Sequence, residues 1–259
     1  MYLPPFGELA DPRVLAGLAR KAEDAGFDGF FLWDHVARPN RPELAVCDAW
    51  TGLAAVAAAT ERLVFGTRVT PLSRRRPQEV ARQAVALDQL SGGRFVLGVG
   101  LGSNTGGEMT RLGEVDDPRT RASMLDESLE LICRLWSGER VVHHGPHYTV
   151  DGLRFLPRPV QQPRIPIWVA AQSTRPAPLR RAARYDGLCP EVSPDDLRRM
   201  LEIIAEHRDG DMDGYEVSVG GPPGTDPGPY ARAGATWWLV QFPETTAVRQ
   251  VEEVLANRK

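Results

Sequence analysis

The stretch Leu63-Val64-Phe65-Gly66-Thr67-Arg68-Val69-Thr70-Pro71, with Phe95-Val96-Leu97-Gly98-Val99-Gly100 one amphipathic segment later, decides the architecture. Both apolar runs are continuous rather than alternating, as in parallel strands covered on both faces. Between them, residues 77–90 read as a helix that starts at Pro77 and stops at Ser91-Gly92-Gly93. Strand, helix and strand in so short a span form one βαβ unit.

The same unit recurs on either side. Phe30-Phe31-Leu32-Trp33, Ile165-Pro166-Ile167-Trp168-Val169 and Thr236-Trp237-Trp238-Leu239-Val240 are further strand cores, and Tyr2-Leu3, 187–189 and 216–220 are weaker ones. Helical patterns fill the gaps at 11–26, 48–60, 119–136, 176–184, 194–208 and 247–258. In the first, Val14, Leu15, Leu18, Ala19 and Ala22 share a face, while Arg20, Lys21, Glu23 and Asp24 point away. Eight such units predict a single (β/α)8 barrel over residues 1–259. The alternative, a doubly wound open sheet, wants a Gly-x-Gly-x-x-Gly turn after its first strand, and Leu3-Pro4-Pro5-Phe6-Gly7 is not one. Residues 138–164 break the rhythm and read as a short excursion between the fourth long helix and the fifth strand, with a hairpin at 141–150.

Composition excludes several classes. Lys and Arg number 31 against 34 Asp and Glu, a net charge of −3, so the basic excess that phosphate backbones require is missing and no nucleic-acid partner is expected. No apolar run approaches a membrane span, and the first residues carry no leader pattern, so the chain reads as cytoplasmic and without a membrane partner. Cys47, Cys133 and Cys189 are odd in number and far apart, which excludes a disulfide framework. Only Lys21 and Lys259 are lysines, and neither ends a strand, which removes a Schiff-base aldolase.

In such barrels the active site lies at the C-terminal ends of the strands. Trp33-Asp34-His35 follows the second strand, and a histidine beside an acid moves protons near neutral pH. His35 and Asp34 are therefore the catalytic candidates, with a rim histidine beside an Asp34 turn cap as the other reading. Gly100, Gly102, Ser103 and Asn104 let backbone approach an anion after the fourth strand. Gln172, Ser173 and Thr174 precede a helix whose N-terminus suits a phosphate. Arg74-Arg75-Arg76 reads as a solvated basic turn. His143, His144 and His147 have no nearby cysteine, and no metal site is expected. Cys47 lies just ahead of a helix end that would lower its pKa, although a buried structural thiol is the plainer reading. One face of Trp237-Trp238 is expected to fill the barrel or its helix layer, and the other to reach the site.

These runs resemble the bacterial-luciferase-like superfamily of flavin-dependent oxidoreductases, which use FMN or the deazaflavin F420. The densest stretch is residues 63–102, and Leu135-Trp136-Ser137-Gly138-Glu139, Pro157-Arg158-Pro159-Val160-Gln161 and Ala182-Ala183-Arg184-Tyr185-Asp186-Gly187 follow in order. The resemblance implies a catalytic or ring-contacting role for His35. It also implies a bulge behind the ring at Thr67, Arg68 and Val69, with a non-proline cis peptide near Arg68-Val69. The phosphate would lie at Ser103 and at Gln172, Ser173 and Thr174. A small organic substrate, a reduced-flavin or nicotinamide donor and a homodimer through residues 48–60 and 77–90 are implied as well. Two departures stand out: a very short first strand, and the short Gly220–Gly228 segment where relatives carry a long lid. The second tilts the expectation toward hydride transfer, because oxygen chemistry on a flavin needs water excluded. A flavin-binding protein without turnover is the alternative.

Overall fold

The computed structural model describes residues 1–258. The chain begins with β1 (Tyr2–Leu3), α1 (Pro12–Asp24), β2 (Gly29–Leu32), α2 (Ala49–Ala59), β3 (Val64–Pro71), α3 (Pro77–Ser91) and β4 (Phe95–Gly100). A short α4 (Glu108–Arg111) and the long α5 (Pro118–Trp136) follow, then β5 (Arg140–His144) and β6 (Thr149–Arg154). The last part is β7 (Ile167–Ala170), α6 (Pro176–Ala183), β8 (Gly187–Cys189), α7 (Pro194–His207), β9 (Glu216–Gly221), α8 (Gly228–Arg232), β10 (Trp237–Val240) and α9 (Val248–Ala256).

Eight strands pair in parallel in the order β1-β2-β3-β4-β7-β8-β9-β10. A parallel bridge between Tyr2 and Gln241 closes the ring, and Phe242 N–H donates to the Tyr2 carbonyl at 3.2 Å. The barrel expected from the spacing is therefore present, and the excursion after α5 is the antiparallel β5–β6 hairpin. Helix starts follow the sequence signals. The Asp11, Asp48, Asp117 and Ser193 side chains each accept from a backbone N–H of the first turn, and α3 ends on Gly92 in the left-handed region at φ 67°.

Two cores hold the barrel. Between strands and helices lies a continuous apolar layer that includes Leu3, Leu15, Leu53, Phe65, Phe95, Leu129 and Ile167. Inside the ring, Phe31 stacks on Trp168 with centroids 5.3 Å apart, and Trp237 packs on both. Trp237 thus plugs the lower barrel while Trp238 turns outward to Tyr230 on α8. Neither tryptophan reaches the upper mouth. Above the plug, the β3–β4 register shifts between Thr67 and Thr70, and the Arg68–Val69 peptide is cis, where the resemblance placed it. Gly98 makes that bulge fit, since a Cβ there would lie 2.0 Å from the Thr67 carbonyl oxygen. Among the described residues no helix is long and apolar enough to cross a membrane.

Candidate active site

The C-terminal ends of the strands surround a cavity of about 610 Å³. Its wall takes in Tyr2, Trp33 and His35 on one side, Arg68, Val69 and Gly100 beside the bulge, and Gln172, Ser173, Cys189 and Glu191 opposite. Strand topology puts these residues together although they span most of the sequence.

His35 is held by an acid, but not by its neighbour. His35 Nδ1 lies 2.6 Å from Glu108 Oε2, at the start of α4. The other oxygen of Glu108 accepts from Val36 N–H at 2.7 Å, Ala37 N–H at 3.2 Å and Arg74 Nη1 at 2.9 Å. Burial pushes the Glu108 carboxyl up, yet the His35 bond and charge and the two N–H donors outweigh it and hold it at about 2. A carboxylate held ionised only accepts, so Nδ1 carries the proton, and Nε2 is the nitrogen left to accept, with Arg38 Nη1 3.5 Å from it.

Asp34 is spoken for by other groups. It accepts from Thr70 Oγ1 at 2.8 Å, Trp50 Nε1 at 3.1 Å and Arg74 Nη2 at 3.0 Å, and bidentately from Arg75 at 2.9 and 3.0 Å. Burial opposes its charge, but Arg75, Arg74 and Thr70 together keep it below its ordinary range. Arg74, 3 % exposed, therefore stands between two buried carboxylates, Asp34 and Glu108. The solvated basic turn expected at 74–76 is corrected here: Arg74 and Arg75 face inward, and only Arg76 is exposed. A run of like charges does not reveal that acids from two other segments converge on it.

Of the remaining candidates, Arg68, Val69, Gly100, Gly102, Ser103, Gln172 and Ser173 line the mouth. Three do not. Thr67 is fully buried and donates to the Gly98 carbonyl at 2.8 Å, so it binds strand to strand. Asn104 Oδ1 accepts from Met109 N–H at 2.9 Å and Thr110 N–H at 3.3 Å, fastening α4. Thr174 stands exposed, outside the lining. The helix after it also differs from expectation: α6 opens Pro176-Ala177-Pro178, and two prolines remove two of its first N–H groups. An anion there would rely on Ser173, Arg175 and the buried Arg181, which pairs with Asp126.

The thiols and the hairpin histidines lie in structural settings. Burial pushes Cys47 and Cys189 up to about 11, so the helix end ahead of Cys47 does not prevail. His143 pairs with Glu127 at 2.8 Å and His147 with Ser123 at 2.9 Å, tying the hairpin to α5. Glu108 is the residue sequence reasoning missed; its signal was only an acid after Thr105-Gly106-Gly107. Trp33 Nε1, buried in the wall, has no hydrogen-bond partner among the described residues. The flat Trp33 ring and the side-chain-free Gly100 and Gly102 in the same wall fit a planar heterocycle.

Parallel topology, the bulged third strand and a histidine at the mouth define a (β/α)8 barrel with its cavity at the C-terminal strand ends. The chain belongs to the luciferase-like monooxygenase family, whose profile matches residues 4–250. It is 37% identical over 183 residues to the F420-dependent glucose-6-phosphate dehydrogenase of Nakamurella multipartita, covering 67% of this chain and 50% of that one. The F420-dependent hydroxymycolic acid dehydrogenase of Mycobacterium tuberculosis is 34% identical over 193 residues, covering 74% and 52%. The chain spans about half the length of these curated relatives. Among solved structures, an F420-dependent secondary alcohol dehydrogenase in complex with an F420-acetone adduct superposes with a TM-score of 0.74 at 21% identity, covering 99% of this chain and 80% of that one. The monooxygenase RslO1 from Streptomyces bottropensis gives 0.69 at 25% identity, covering 82% and 64%. These relatives are oxidoreductases by name.

Proposed function

We propose that the protein is an F420-dependent dehydrogenase of small hydroxylated substrates, with FMN as the second cofactor candidate. The observation that carries this reading is the His35–Glu108 pair, which faces the same cavity as the bulge at Arg68 and Val69. The names of the curated F420-dependent relatives described above support F420. The FMN reading rests on fold neighbours of lower identity, one of them a type II Baeyer-Villiger monooxygenase in complex with FMN at 19%. When bound, the deazaflavin would supply a two-electron acceptor at the mouth. Val69, Gly100 and Trp33 would hold its ring, and Ser103, Gln172, Ser173 and Arg175 its anionic arm. His35 Nε2 would take the hydroxyl proton as the substrate carbon gives up its hydride. Glu108 orients the ring and balances the charge it gains. Asp34 anchors the assembly through Arg74 rather than exchanging protons.

The open mouth supports hydride transfer over oxygen chemistry. Among the described residues, none between β9 and β10 lines the cavity, so the short segment there adds no cover. A homodimer and a cytoplasmic location belong to the same proposal. The outward face of α2 carries only small residues, Thr51, Ala55 and Ala58, which suit a close helix contact between copies. Oxidised F420 mixed with a panel of secondary alcohols and sugar phosphates tests the activity. Loss of the oxidised cofactor's absorbance with at least one of them supports it. F420 that binds but never turns over on any substrate class moves the protein to the flavin-binding alternative.

A further inference from the structure

A buried guanidinium stands in the wall of the mouth, and its close partners carry no charge. Arg68, 3 % exposed, reaches from β3 across the barrel. Its Nε donates to Ser218 Oγ at 3.2 Å, and its Nη2 donates to the Pro190 and Ser218 carbonyls at 3.1 and 2.9 Å. The guanidinium carbon lies 4.9 Å from the centroid of the Tyr2 ring, and Tyr2 Oη donates to the Arg68 carbonyl at 2.6 Å. Burial pushes the Tyr2 phenol well above its ordinary value and the Cys189 thiol up to about 11, so neither supplies a negative charge. Among the described residues Nη1 makes no hydrogen bond, and its one carboxylate partner is Glu191, 3.6 Å away and 55% exposed. Solvent screens an acid so placed. Asp34 and Glu108 are committed to Arg74 and Arg75 and do not neutralise Arg68.

A desolvated guanidinium is costly to the fold unless an anion comes close, and its field is strong where water is scarce. Arg68, Tyr2, Cys189 and Glu191 all line the cavity, so a ligand that fills it meets this charge. The two candidate cofactors differ in what they bring there. The oxidised ring of FMN is neutral at mildly alkaline pH. The deazaflavin ring of F420 carries a phenolic hydroxyl conjugated with its pyrimidine carbonyls, which makes it far more acidic than the phenol of tyrosine. At the same pH that hydroxyl has lost its proton, and the negative charge is spread over the ring. We propose that Arg68 is a specificity-determining residue that selects an anionic ring over a neutral one, and so F420 over FMN, with Glu191 opposing the selection. Its fixed charge acts on binding and takes no part in the hydride step. The inference rests on the proposed flavin-type cofactor and names the residue that decides between its two candidates.

The test is a titration of the wild type, Arg68→Met and Glu191→Gln, at mildly alkaline pH, with oxidised FMN and with the oxidised FMN analogue that carries the F420 ring on the same ribityl phosphate. The two ligands differ only in the ring, and contacts that do not depend on its charge cancel when a variant is compared with the wild type. The readout is the ratio of the two dissociation constants, FMN over analogue, which is expected to exceed one in the wild type. Arg68→Met is expected to lower it about tenfold, the effect of one poorly screened charge at close range. Glu191→Gln is expected to raise it about threefold, less because its carboxylate is exposed. If Arg68 merely packs the wall, both ligands lose affinity together, the ratio holds, and the inference is overturned. A wild-type ratio below one, or shifts of the same sign in the two variants, also overturns it and leaves a flavin-type cofactor standing. If Arg68→Met fails to fold, Glu191→Gln decides by itself. A wild type that binds neither ligand overturns both readings.

Discussion

His35 and Glu108 form a pair that can be taken apart one atom at a time. His35→Asn removes the basic Nε2 but keeps a donor near Glu108, and the residue lies at the rim of the mouth. Turnover is expected to fall by about 10²–10⁴-fold, the range of a lost general base, while the denaturant midpoint stays put. Unchanged kcat would remove the histidine from the chemistry. His35 was readable because it directly follows an apolar run that had to be a strand. Glu108 was not, because the bond that gives it meaning spans 73 positions. Asp34 misled for the complementary reason: it lies in the cavity wall beside His35, but Thr70, Arg74 and Arg75, which take up its carboxylate, come from a segment about 40 positions away.

At the level of elements, two arrangements set the site. The first is the Asp34–Arg74–Glu108 bridge between the loops after β2, β3 and β4. Arg74→Met leaves two buried carboxylates each short of a partner, and the expected cost is about 3–5 kcal/mol, read from urea unfolding. A loss within experimental error would mean that Arg75 and the backbone donors suffice. The second is the β3–β4 bulge. Gly98→Ala puts a Cβ 2.0 Å from a backbone oxygen that has no room to move, so a loss of at least about 1–3 kcal/mol is expected. Gly17→Ala on α1 is the control: nothing stands within 4 Å, and a gain of about 0.5–1 kcal/mol is expected. Long elements were legible from periodicity and caps, whereas α4 and α8, of 4 and 5 residues, are too short to show a period. The inward turn of Arg74 escaped for a different reason, since burial of a charge depends on partners that sequence does not place beside it.

For the whole molecule, the buried acids set the response to pH. Glu108 titrates at about 2 in the fold against 4.5 ordinarily, and Asp34 also lies below its ordinary 3.8. A depressed carboxyl stabilises the fold fully above its unfolded value, and that contribution drains away as the pH falls toward the folded one. Stability is therefore expected to decline between about pH 4.5 and 2, and Glu108→Gln to decline less steeply over that window. Parallel slopes would mean that Glu108 contributes nothing to acid stability. At this scale the barrel and the place of its mouth followed from strand spacing alone, since parallel strands put all their C-termini at one end. The resemblance supplied the cis peptide and the cofactor class. The charge inside the mouth came from neither, because Arg68 meets Ser218 and Glu191 only once the ring has closed. The central claim is that this mouth seats a deazaflavin or flavin, and it is tested most directly by fluorescence titration of the purified, cofactor-stripped protein with F420 and, separately, FMN. Saturable one-to-one binding of F420 is the predicted result, and binding of FMN alone would move the protein to the oxygenase side of its family. No saturable binding of either would contradict the account.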